Sequence, residues 1–113
     1  MLLYHWNGVS WHQAGVPAGL TAPSLGELTG VSGDASGHLW IFDFGPQAGN
    51  RGAYLRYDGH RWSMVRGASV VGQTRVIVRD VATIPGTSAA WSVGLGFGPA
   101  VEARARIERY GGI

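Results

Sequence analysis

A chain of 113 residues sets an upper bound of one domain, and its 45% apolar content is enough for a globular core. Charged residues make up only 14%, well under the usual quarter, which predicts that part of the surface is covered by another copy or by a longer chain. A net charge of +2 carried on scattered Arg residues argues against nucleic acid, the absence of Cys excludes a disulfide framework and a thiolate zinc site, and no apolar run approaches the roughly 20 residues of a membrane helix.

The start, MLLYHWNG, lacks the basic region and long apolar segment of a signal peptide. Leu2–Trp6 reads as a strand, followed by Asn7-Gly8 and then Trp11. An inner strand is expected around Glu27–Val31, and Asp34 as a turn residue before a strand over Leu39–Phe44, with Trp40, Phe42 and Phe44 on one face. Ala53–Tyr57 and Trp62–Val65 are strands joined by Asp58-Gly59. Glycine supplies the positive φ such a reversal needs, and Asn7 and Asp58 are turn formers. Val76–Val81, Ala90–Leu95 and Ala105–Tyr110 complete the strands. The run Ala103–Tyr110 alternates small or apolar with charged residues, as a half-exposed strand should, and this outweighs the helix propensity of its Ala, Arg and Glu.

Several anchors recur at a spacing of about 51 residues: Gly8 with Gly59, Trp11 with Trp62, and Trp40 with Trp91, while Arg109-Tyr110-Gly111-Gly112 opens a third copy with Gly112 as its turn glycine. Leu28–Val31 corresponds to Val78–Val81. A repeat of this length belongs to a propeller or a helical array, and short β-branched and aromatic runs cut by Gly, Pro, Asn and Asp select the former. The fold class is therefore all-β: propeller blades of four antiparallel strands in one unit spanning 1–113, with repeat 1 over about 9–59, repeat 2 over about 60–112 and an extra strand copy at 1–8.

The pieces His5-Trp6-Asn7-Gly8-Val9-Ser10-Trp11, Thr29-Gly30-Val31 and Ala90-Trp91-Ser92-Val93-Gly94 resemble bacterial proteins with tryptophan-rich β-propeller repeats, over essentially the whole chain. The resemblance implies a fold and leaves function open, because propellers host enzymes, lectins and scaffolds. Asp34-Ala35-Ser36-Gly37-His38-Leu39-Trp40 departs from the sialidase Asp-box, and the kelch double glycine is absent. Two blades cannot close a ring, so the ring is completed by other copies or by a longer chain. The third strand occurs three times (Leu2–Trp6, Ala53–Tyr57, Ala105–Tyr110). In a cyclic homo-oligomer with an even blade total, six or eight, His12 and its neighbours would form the outer strand of a blade whose inner strands come from residues 75–110.

The chemistry-bearing residues have structural readings first. Trp11, Trp62, Trp40 and Trp91 recur and are expected to pack between strands and blades, as is Trp6. His5, His12, His38 and His60 show no metal-ligand spacing, and Gly94–Gly98 is followed by no helix, so no metal and no cofactor is expected. Asp43 follows a bulky apolar run and is read as a paired or solvated edge residue. No catalytic residues are assigned. The loops 45–52 and 96–100 differ between repeats while the strands agree, and Asn50, Arg51 and Phe97 are the candidate ligand contacts, with a glycan as the ligand class. The expected function is a non-enzymatic, lectin-like binding or scaffold module in a ring of copies; the alternative is a fragment of a larger propeller hydrolase or lyase with its catalytic groups elsewhere.

Overall fold

The computed structural model describes residues 3–15, 28–43, 51–99 and 102–111. Among the described residues there are nine strands and no helix: β1 (Tyr4–Trp6), β2 (Trp11–Gln13), β3 (Leu28–Gly33), β4 (Leu39–Asp43), β5 (Ala53–Tyr57), β6 (Trp62–Arg66), β7 (Arg75–Thr83), β8 (Ala90–Phe97) and β9 (Ala103–Tyr110). The segment with helix propensity is thus a strand, as its alternation predicted. Every pairing is antiparallel. The strands form a hairpin β1-β2, a four-stranded sheet β3-β4-β5-β6 and a three-stranded sheet β7-β8-β9.

The two larger sheets share a register. In the first, β3 pairs with β4 through Leu28↔Asp43, then Gly30↔Phe42, skipping one residue. In the second, β7 pairs with β8 through Val78↔Gly94, then Asp80↔Val93, skipping one residue at the matching place. Such a bulge tightens the local twist, and its recurrence shows that the repeat extends to backbone geometry. The hairpin fits the same scheme. Its pairs Tyr4↔Gln13 and Trp6↔Trp11 sit where Leu55↔Met64 and Tyr57↔Trp62 sit in β5-β6.

The repeated turns are built alike. Asn7 Oδ1 accepts from the amides of Val9 and Ser10, and Asp58 Oδ1 accepts from those of His60 and Arg61. Gly8 and Gly59 follow with φ of +97° and +96°, a region an L side chain avoids. Each turn is flanked by an aromatic pair, Trp6–Trp11 at 5.6 Å and Tyr57–Trp62 at 5.0 Å between ring centroids. Gly112 lies outside the described residues. Gly111 before it has φ +96°, one position earlier after its Tyr than Gly59.

The four-stranded sheet is the middle layer. One of its faces sets Trp40, Phe42 and Tyr54 against Val78, Val81 and Ala90 of the three-stranded sheet. The other carries Ile41, Ala53 and Leu55, with Leu3 of the hairpin segment, Trp62 and Met64 packed on them. Burying each large apolar side chain here contributes about 1.5–3 kcal/mol. The Phe42 ring lies across Gly30, where a side chain would collide with it, which explains the glycine of the Thr29-Gly30-Val31 motif.

Candidate functional site: a cleft, an open edge and an open face

The two larger sheets touch mainly through β7, which packs on β3 and β4. At one end these strands are stitched together. Thr83 donates its amide to Ser32 Oγ at 3.1 Å and its hydroxyl to the Gly33 carbonyl at 3.1 Å. Away from β3 and β7 the sheets part, leaving a cleft of about 350 Å³ whose walls include Trp40, Tyr54, Val65, Ser92, Glu108 and Tyr110.

A polar network lines the cleft. The Tyr54 hydroxyl lies 2.8 Å from Ser92 Oγ and 3.4 Å from Glu108 Oε2. Burial, with the Glu108 carboxylate adding to it and the Ser92 hydrogen bond opposing, holds the Tyr54 phenol above its usual pKa, so it stays a donor. Glu108 also accepts from the Ala68 amide and pairs with Arg106. Arg106 is 7% exposed and donates further to Gln73 Oε1 at 2.7 Å and the Ala68 carbonyl at 2.6 Å. A buried cation needs such partners, because losing its hydration is otherwise costly.

The alternation of β9 marks two faces without saying which one is covered, and it is the charged face that turns inward: Arg106 is buried and Ile107 is 69% exposed. The physical reason is that Arg106 and Glu108 face inward, where Tyr54 of β5 and Ala68 and Gln73 of the segment between β6 and β7 satisfy them. Ile107 points to the other face, which nothing covers among the described residues.

That uncovered face matches the buried face of the neighbouring sheet, position by position. Trp40 is 2% exposed and Trp91 45%; Phe42 is 4% and Val93 44%; Tyr54 is 6% and Ile107 69%. Even a cation–ring contact recurs: the Arg56 guanidinium lies 5.9 Å from the Trp40 ring and the Arg109 guanidinium 5.8 Å from the Trp91 ring. Over the four-stranded sheet's pair lies Tyr110 of β9, 4.6 Å from Trp40 and 5.4 Å from the Arg56 guanidinium. No comparable ring covers Trp91 among the described residues.

The remaining predicted residues have their own places. Arg51 is exposed and donates from Nε to the Gly67 carbonyl at 2.6 Å. Phe97 is half-buried at the end of β8, with the Arg75 guanidinium 5.9 Å from its ring. Each is held by a neighbour of its own, and Asn50 lies outside the described residues. Asp43 ends β4, and its side chain also lies outside them. Of the five Trp, only Trp40 is buried; Trp62 is half-buried, and Trp6, Trp11 and Trp91 are exposed in the single chain. Asp34 is the expected turn residue. Its enclosure works against ionisation, but hydrogen bonds from the His38 ring and from the His38 and Ser36 amides outweigh this and keep its pKa below the usual value. Asp58 is lowered by the amides of Arg61 and His60.

No group of three or more His, Cys, Asp or Glu among the described residues is placed to hold a metal ion. No family model matches the chain, and neither a curated protein nor a solved structure is detectably similar to it.

Proposed function

We propose that this chain is a tryptophan-rich β-propeller unit that works as a non-enzymatic scaffold or binding module, with copies sharing one ring. The observation that carries this reading is the mismatch of matching parts. The β1-β2 hairpin has the register of the third and fourth strands of the four-stranded sheet, while the three-stranded sheet has the counterparts of the first three. One copy therefore holds the piece that another lacks. The sheets stack face on face, with β3 and β7 in contact and β6 and β9 splayed apart, which is how strands diverge from a propeller axis.

The non-enzymatic part is supported by how the polar side chains are engaged. Asp34 and Asp58 close turns, His38 pairs with Asp34, and Arg106 and Glu108 tie β9 to residues 68 and 73. A ligand, with glycans as the class of first choice, would meet the loops at the ends of the strands, where Arg51 and Phe97 sit. Native mass measurement tests the ring. An assembly of three or four chains, giving six or eight blades, is expected, and a well-folded monomer would remove the reading. A glycan array on the assembled species tests the ligand class, and silence across all sugars would remove the lectin-like part.

A further inference from the structure

We infer that the outer edge of β9 receives β2 of a second copy in a defined register, with Tyr110 opposite Trp11, Arg109 opposite His12 and Glu108 opposite Gln13. This rests on the ring proposed above and specifies its joint. The register follows from β5-β6, where Tyr57↔Trp62, Arg56↔Ser63 and Leu55↔Met64 are the corresponding pairs. In the isolated chain β2 instead pairs with β1, through Trp6↔Trp11, His5↔His12 and Tyr4↔Gln13. β1 and β9 are therefore alternative partners for the same strand.

Both faces of the joint fit this exchange. Tyr110 and Glu108 border the cleft, so the side chains opposite them, Trp11 and Gln13, enter it from the second copy. In the single chain Trp11 and Gln13 are exposed, and so are Tyr4 and Trp6 across from them. Trp11 would pack against Tyr110 as it does against Trp6, and the Gln13 amide would reach the polar wall formed by Glu108 and Ser92. On the other side of the sheet, Ile107 holds the position that Leu3 holds in the hairpin segment. Leu3 packs on the Ile41, Ala53 and Leu55 cluster. When β9 takes the place of β1, Ile107 takes that seat on the second copy's four-stranded sheet. Trp91, Val93 and Arg109 are then covered as Trp40, Phe42 and Arg56 are, with Tyr57 of the second copy in the capping role that Tyr110 plays for Trp40. One movement thus closes an unpaired strand edge, a cleft and an apolar face.

Because the chain has no Cys, engineered thiols report the joint without background. Opposed residues on antiparallel strands have Cα atoms about 4.5–5.5 Å apart, within disulfide range. His12 and Arg109 are both exposed in the single chain, so their replacement spares the core. Chains carrying His12→Cys alone are mixed with chains carrying Arg109→Cys alone, and a disulfide between them can only be intermolecular. The expected result is a covalent species of twice the chain mass on a non-reducing gel that forms in the mixture and not with either single variant alone, while the double variant His5→Cys, His12→Cys fails to close within the chain. If the native mass shows a ring but the His12–Arg109 bond does not form and the His5–His12 bond does, the exchange is wrong and the ring stands. If the native mass is that of a monomer, both fail.

Discussion

Trp40 and Trp91 hold the same register position in neighbouring sheets, each with an arginine over its ring, yet one is sealed and the other is open. The strands around them, the bulges and the alternation are shared. What differs is the layer beyond: Trp40 has the three-stranded sheet against it, and Trp91 has none among the described residues. Burial of a repeated residue is therefore decided by the layer packed against it, and under the proposed ring a sheet face left open in one copy is covered by the next.

The largest expected effect separates these two residues. Trp40→Ala should destabilise the fold by about 3–5 kcal/mol at any protein concentration, because it removes a fully enclosed aromatic. Trp91→Ala should leave the stability of a dilute chain nearly unchanged and weaken assembly, read as a loss of the oligomer at concentrations where the unsubstituted protein retains it. Equal effects on unfolding midpoint at low concentration would break the comparison.

A smaller effect is expected at the turns. A Cβ at Gly59 would meet nothing within 4 Å, so Gly59→Ala isolates the cost of its φ of +96°. Denaturant unfolding should show a loss of about 1–2 kcal/mol, the usual cost of a left-handed L residue. Gly8→Ala has the same open surroundings but lies in the hairpin, and it should change assembly more than it changes the stability of the larger sheets.

The smallest effect is electrostatic. Asp58 and Asn7 make the same two amide hydrogen bonds, one as a carboxylate and one as an amide. The folded pKa of Asp58 lies below its ordinary value of 3.8, so its contribution is fully present above that pH and is lost as pH falls through the folded value. Asp58→Asn should keep the turn and reduce the drop in urea midpoint between neutral pH and pH about 2–3, and Asn7→Asp should add acid sensitivity to the hairpin. Asp34 titrates in the same direction and remains in both variants as an internal reference.

Much of this architecture was legible in the sequence for physical reasons. Glycine at positive φ and an Asx residue before it leave a recognisable mark, which is why Gly8 and Gly59 marked matching turns. The strand bounds fell within a few residues because β-branched and aromatic runs stop at turn formers. The offset between Leu28–Val31 and Val78–Val81 was also visible, and it carries the two matching bulges. The site was less legible. Arg106 and Glu108 looked like the solvent side of an alternating strand, because alternation reveals two faces but not which one a neighbour covers. Their partners Gln73 and Ala68 come from the segment between β6 and β7, where the repeats offered no equivalent to compare. A ring contact such as Arg109 on Trp91 depends on cross-strand register, which short motifs do not specify.

Hydrogen–deuterium exchange resolved along β9 tests the central claim most directly, since it asks whether that strand's outer amides are hydrogen-bonded in solution. If a second copy supplies the missing strand, β9 should exchange as slowly as β5, which is paired on both sides. Outer-edge amides of β9 that exchange at the rate of an unpaired strand at every protein concentration, beside a protected β8, would contradict it.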